Sequence, residues 1–197
     1  DVCSSDLYTG TRDIAALHII AEATANSIDE DDGGKTFAEL GRSSVSLLTP
    51  ANAPQTVSPL TTLVSNQQIV AKEEGKTLTV AEAEARAKLQ SNISASVALT
   101  NNDYKDSAKG DKDTAVIAKA VTLALADSQT AIKNNTDFSA ASDKSGKSSA
   151  TEAIKQSIAS VQTELAKNIS SDGKLAVTAA QFQTNTAQTI SGNIQDI

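Results

Sequence analysis

Ile154, Ile158, Val161, Leu165 and Ile169 recur at steps of 4, 3, 4 and 4 residues. Only a helix brings such positions onto one line, because a strand alternates its faces every second residue. The spacing therefore predicts a helix from about Ser149 to Asn168 whose apolar stripe must be buried against other elements. The chain has little bulk with which to cover that stripe. Aromatic residues make up 3% of it, Trp and Met are absent, and the 39% apolar fraction leans on Ala. At about 25 cal/mol per Å² of buried apolar surface each Ala contributes little, but Ala has the highest helix propensity of all residues. A core of Ala, Val, Ile and Leu thus favours helices over sheets, and the expected class is mainly α.

Four more helices are legible. Ser58-Pro59 opens one: Ser is a good N-cap, and Pro at the first helical position has its φ already set. Leu60, Leu63, Val64 and Val70 follow, and Gly75 closes it. Thr79-Val80-Ala81-Glu82 has the form of a capping box. The helix behind it, Val80 to about Gln90, puts Ala83, Ala87 and Leu89 on one side and Glu82, Glu84, Arg86 and Lys88 largely on the other. Glu82–Arg86 and Glu84–Lys88 are i,i+4 pairs in the favourable order, which reads as a solvent-facing surface. From Thr114 to about Lys133 the apolar residues cover most of the circumference, the pattern of a central, enclosed helix. Lys133 suits the negative end of its dipole. Residues 136–149 read as a polar loop, Asp172-Gly173 as a turn, and Thr178 to Ile194 as a weaker helix carrying Ala179, Phe182, Ala187, Ile190 and Ile194. Short polar connections favour antiparallel neighbours, so the expectation is an Ala-rich antiparallel bundle of about five helices over residues 57–197. The last helix stops without a closing signal, which points to truncation at the C-terminus.

Residues 8–56 follow another pattern. Leu17-His18-Ile19-Ile20-Ala21 and Ser44-Val45-Ser46-Leu47-Leu48 read as short strands separated by the polar loop Asp29-Glu30-Asp31-Asp32-Gly33-Gly34, whose glycines can take positive φ. Two strands do not make a stable sheet alone. The region reads as the tail of a β-rich, sandwich-like module whose beginning is missing.

The opening Asp1-Val2-Cys3-Ser4-Ser5-Asp6-Leu7 resembles the translation of a common short-read sequencing adapter, so residues 1–7 read as adapter-derived sequence in a metagenomic reading frame. Cys3 is the only cysteine. Without it, disulfides and cysteine zinc sites are excluded within the chain. A cysteine-free composition also fits export to an oxidising compartment.

Val57-Ser58-Pro59-Leu60-Thr61-Thr62-Leu63-Val64 resembles a motif of bacterial surface lipoproteins and secreted adhesin-like proteins, in which it follows a β-sandwich and opens an Ala-rich helical domain. Thr79-Val80-Ala81-Glu82-Ala83-Glu84, Asn102-Asp103-Tyr104 with the helix after it, and the upstream Ala23 to Asp29 resemble further parts of that family in the same order. The resemblance covers most of residues 19–135. It implies an exported protein, either anchored at the cell surface or outer membrane or secreted, with an unknown protein or cell-surface partner; the signal for a lipid anchor would lie upstream. It carries over no catalytic residues.

The chemistry in the residues is sparse. A formal charge of −7 argues against nucleic acid and against an anionic membrane surface. No apolar run approaches the roughly 20 residues of a transmembrane helix. His18, the only histidine, stands inside a strand with no nucleophile-elbow signature in the chain. Asp29, Asp31 and Asp32 are the candidate metal ligands, since carboxylates suit Ca²⁺. The spacing departs from the EF-hand: Gly comes one residue early, and Leu40 stands where the closing Glu belongs. A solvated hairpin turn is the competing and favoured reading. The acidic cluster Asp103, Asp106, Asp111 and Asp113 near Tyr104 is interleaved with Lys105, Lys109 and Lys112, as in a solvated loop. The sequons at Asn92, Asn134 and Asn168 are expected by chance in a chain this rich in Ser, Thr and Asn. Taken together, the residues point to a non-catalytic structural or interaction module without a cofactor. The alternatives are a calcium- or ligand-binding extracytoplasmic module, or an accessory domain of an enzyme whose catalytic part lies elsewhere.

Overall fold

The computed structural model describes residues 18–29, 33–42, 44–53, 56–102, 112–133 and 149–195. The element order among them is β1 (His18–Thr24), β2 (Ile28–Asp29), β3 (Lys35–Thr36), β4 (Ser44–Pro50), α1 (Pro59–Glu73), α2 (Val80–Ser91), α3 (Lys112–Lys133), α4 (Ser149–Asn168) and α5 (Ala179–Gln195). The chain is mainly α, as its sequence predicts. Two antiparallel ribbons accompany the helices. β1 pairs with β4 from His18–Pro50 to Thr24–Ser44 without a bulge, and β2 pairs with β3.

The helix starts follow from their caps. Ser58 Oγ accepts the Thr61 N–H at 3.1 Å and Thr61 Oγ1 accepts the Ser58 N–H at 2.9 Å, a reciprocal box that satisfies two otherwise orphan donors. Thr79 and Glu82 do the same for α2, and Thr178 with Gln181 does so ahead of α5. Past the end of α1, Gly75 takes φ 75°, a left-handed conformation that glycine adopts without strain.

α3 packs against α1, α4, α5 and β4, and Ile117, Val121, Ala124 and Leu125 are buried within it. It is enclosed on most sides, as its apolar circumference predicts, but Val116 remains 49% exposed. α1 is enclosed too. Every residue from Pro59 to Gln68 is buried, polar ones included. Ile158, Val161, Leu165 and Ile169 of the apolar stripe are buried, whereas Ile154 lies outside the described side chains. Phe37, Val45 and Leu48 join Leu60, Leu63, Val121 and Phe182 in one apolar cluster, so the core runs across the strand region and the helices alike.

Three more side chains face otherwise than the sequence predicts. Leu89 is 83% exposed, while Ala83 and Ala87 are fully buried. Two residues advance a helix by about 200°, so Leu89 cannot share a face with Ala87. Glu84 is not on the solvent side but half-buried at the flank of α2. In α5, Ala187 is exposed and Thr186 takes the inward place between Phe182 and Ile190, one helical turn from each. Thr186 meets burial by donating its hydroxyl to Phe182 O at 2.9 Å. No helix among the described residues is long and apolar enough to cross a membrane.

Candidate functional site

The β1–β4 ribbon has two outer edges, and the protein treats them differently. Along β4 the backbone of Ser46 and Leu48 turns away from β1. Gln129 of α3 answers Ser46 with both ends of its amide: its Oε1 accepts the Ser46 N–H at 2.8 Å and its Nε2 donates to Ser46 O at 3.1 Å. One side chain thereby imitates a neighbouring strand. Two residues on, Thr62 Oγ1 accepts the Leu48 N–H at 2.9 Å and Thr61 Oγ1 donates to Leu48 O at 2.8 Å. The Thr61-Thr62 pair thus closes the N-terminus of α1 and covers the edge of β4 at once. Buried backbone groups need partners, and here the helices supply them.

The opposite edge belongs to β1. Since Ser46 and Leu48 face outward, Val45, Leu47 and Thr49 exchange hydrogen bonds with Ala23, Ala21 and Ile19. His18, Ile20, Glu22 and Thr24 therefore turn their N–H and C=O groups to the far side. Thr24 is capped locally, its N–H donating to Ser27 Oγ and its carbonyl accepting the Ser27 N–H. Ile20 and Glu22 have no backbone partner there among the described residues. Natural sheet edges are blunted by Lys, Pro, a bulge or a covering element. β1 carries one edge charge, the exposed Glu22, but no Lys, Pro or bulge, and among the described residues nothing covers it; it holds Ile19 at 51% and Ile20 at 59% exposure, one on each face of the ribbon. The edge is short, regular and, among the described residues, open.

His18 ends this edge. Burial first, and then the nearby Lys72 ammonium, hold its imidazole below the ordinary value. Its Nδ1 is buried without a hydrogen-bond partner among the described residues. Of the candidate metal ligands, Asp29 lies in β2 opposite Lys35, while Asp31 and Asp32 fall outside the described residues. Gly33 and Gly34 after them do take positive φ. Among the described residues no group of three His, Cys, Asp or Glu side chains gathers around a common point. Of the second acidic cluster only Asp113 is described. It pairs with Lys174 at 3.6 Å, and Tyr104 with the remaining carboxylates lies outside. Asn92 and Asn168, two of the sequon asparagines, use their amides internally, donating to Ile169 O and Glu164 O.

Two polar constellations go beyond the sequence reading, although one of them contains the expected i,i+4 pair of Glu84 and Lys88. Glu84 accepts the Leu99 N–H at 2.9 Å, the Thr100 hydroxyl at 2.5 Å and the Lys88 ammonium at 2.8 Å, pinning the segment after α2 onto that helix. Burial pushes its carboxyl up, and those donors together outweigh burial and leave it below the usual range. Beside it lies an open groove of about 570 Å³ lined by Ala81, Glu84, Ala85, Lys88, Leu89, Ile93 and Ala95. Between α1, α2 and α4, Gln162 Oε1 accepts from the amides of Asn66 and Gln67, and Gln67 also donates to Gln90. Apart from the Glu84–Lys88 pair no local pattern announces either cluster, because the remaining partners lie on different segments.

No family model, curated protein or solved structure matches the chain.

Proposed function

We propose that this chain is a non-catalytic structural or interaction module of an exported bacterial surface lipoprotein or adhesin-like protein. In this reading its five helices form an antiparallel bundle that serves as a spacer or scaffold, and its strands are the end of a β-sandwich-like module. The observation that carries the interaction reading is the edge of β1, where among the described residues the outward backbone groups of Ile20 and Glu22 are unpaired beside two exposed isoleucines, while the edge of β4 is covered at Ser46 and Leu48. An uncovered, unprotected edge is a template for another strand. The surface location rests on the resemblance carried by Val57 to Val64. An epitope tag placed in the native locus, followed by protease treatment of intact cells, tests it. Loss of the epitope from intact cells supports a surface module, and protection of it both in intact cells and after the outer envelope is permeabilised, until full lysis, refutes the export reading.

A further inference from the structure

The geometry points to a second copy of this chain as the occupant of the β1 edge, paired antiparallel about a two-fold axis through Ile20. This inference rests on reading the ribbon as an interaction surface. The free edge runs from His18 to Glu22, because Thr24 is already capped by Ser27. Only outward-facing residues can form the narrow, hydrogen-bonded pairs of a new ladder. Placing Ile20 opposite Ile20 of the second copy makes all three outward residues pair at once, since His18 then stands opposite the second copy's Glu22, and Glu22 opposite its His18. Three such pairs carry about six backbone hydrogen bonds. Ile19 falls opposite Ala21 in the wide pairs between them.

Side-chain chemistry selects this register over its neighbours. An axis through Ala21 sets Ile20 against a carboxylate and drops the His18 pair onto the capped Thr24. An axis through Glu22 sets two carboxylates face to face, which is unfavourable across a sheet. The Ile20 axis joins apolar to apolar and brings each carboxylate to an imidazole whose near neighbour is the Lys72 ammonium. Each side of the contact thus meets its complement.

Assembly stops at two. The resulting four-stranded sheet has the order β4, β1, β1, β4, and both of its outer edges are β4 edges already occupied by Gln129 and Thr62. A closed two-fold contact leaves nothing for a third copy to add to.

Sedimentation velocity of the full chain under reducing conditions, across a concentration series, tests this. The expected result is a monomer–dimer equilibrium with no larger species. Ile20→Lys places like charges on the axis and weakens the dimer by about tenfold or more. Glu22→Lys sets a cation against the His18–Lys72 corner and weakens it likewise, while the swap His18→Glu with Glu22→Lys restores it. At concentrations where the parent is monomeric, thermal melts of the two single variants stay close to the parent, because Ile20 and Glu22 are exposed in the monomer. Amide exchange gives a second readout. Ser46 and Leu48 are protected at every concentration, and Ile20 and Glu22 only in the dimer. A monomer at all concentrations, a dimer indifferent to both single variants, or open-ended oligomers would each overturn the proposal. None of these outcomes bears on export, which the protease experiment decides separately.

Discussion

Glu84 brings a carboxylate into a half-buried position and surrounds it with three donors, Leu99 N–H, the Thr100 hydroxyl and the Lys88 ammonium. Those donors hold the group below its ordinary range although burial pushes it up. A carboxyl with a depressed folded value stabilises the protein above its unfolded value, near ~4.3 for Glu, and that contribution is lost as pH falls through the lower folded value. Glu164 has the same sign. Burial raises it, and the Lys167 ammonium and Thr189 hydroxyl lead the groups that lower it further. Glu84→Gln should therefore cost about 1–3 kcal/mol at neutral pH and should lose less stability than the parent on acidification. Urea unfolding at neutral and acid pH checks both. Parallel losses in parent and variant would remove Glu84 from the acid response. The opposite case on the same helix is Leu89, 83% exposed. Leu89→Ala should change stability by no more than about 0.5 kcal/mol, a magnitude that separates its observed place from the core place predicted by sequence.

At the scale of elements, the decisive contacts join α1 and α3 to β4. Thr62→Val keeps the shape of the side chain but leaves the buried Leu48 N–H without its acceptor. The expected cost is about 1–3 kcal/mol, with faster amide exchange at Leu48. Thr184→Val is the control. Its hydroxyl only donates back to Ala180 O on an exposed face, so its loss should be near neutral. Equal costs for the two would mean that the threonine hydroxyl at 62 serves α1 alone. The elements themselves were legible because their signals are local. Ser58-Pro59, the Thr79–Glu82 box and the spacing from Ile158 to Ile169 each lie within a few turns of chain. The covered edge was not, because Gln129 lies 83 residues from the Ser46 it completes. Nothing near either residue announces the other. Helical angle alone separates Leu89 from the line of Ala83 and Ala87.

For the whole molecule, the sequence divides near Val57, with strand patterns before it and helical patterns after. The apolar cluster crosses that line. Leu48 is 4% exposed and sits in the same cluster as Leu60, Leu63 and Val121, and its backbone is held by Thr61 and Thr62 of α1. A ribbon of two strands has little stability alone, and here it leans on two helices that would otherwise expose the faces they turn to it. Folding should therefore couple the two regions into a single transition. Leu48→Ala, a truncation inside the strand region, should lower the stability of the helices as well as of the ribbon by about 2–5 kcal/mol. Far-ultraviolet circular dichroism follows the helices, and the amide resonances of β1 and β4 follow the ribbon. Coincident, equally shifted transitions for both probes mean one cooperative core spanning the boundary. A helical transition left at the parent midpoint, with only the ribbon resonances shifted, would mean that the ribbon docks on a helical unit already able to stand without it.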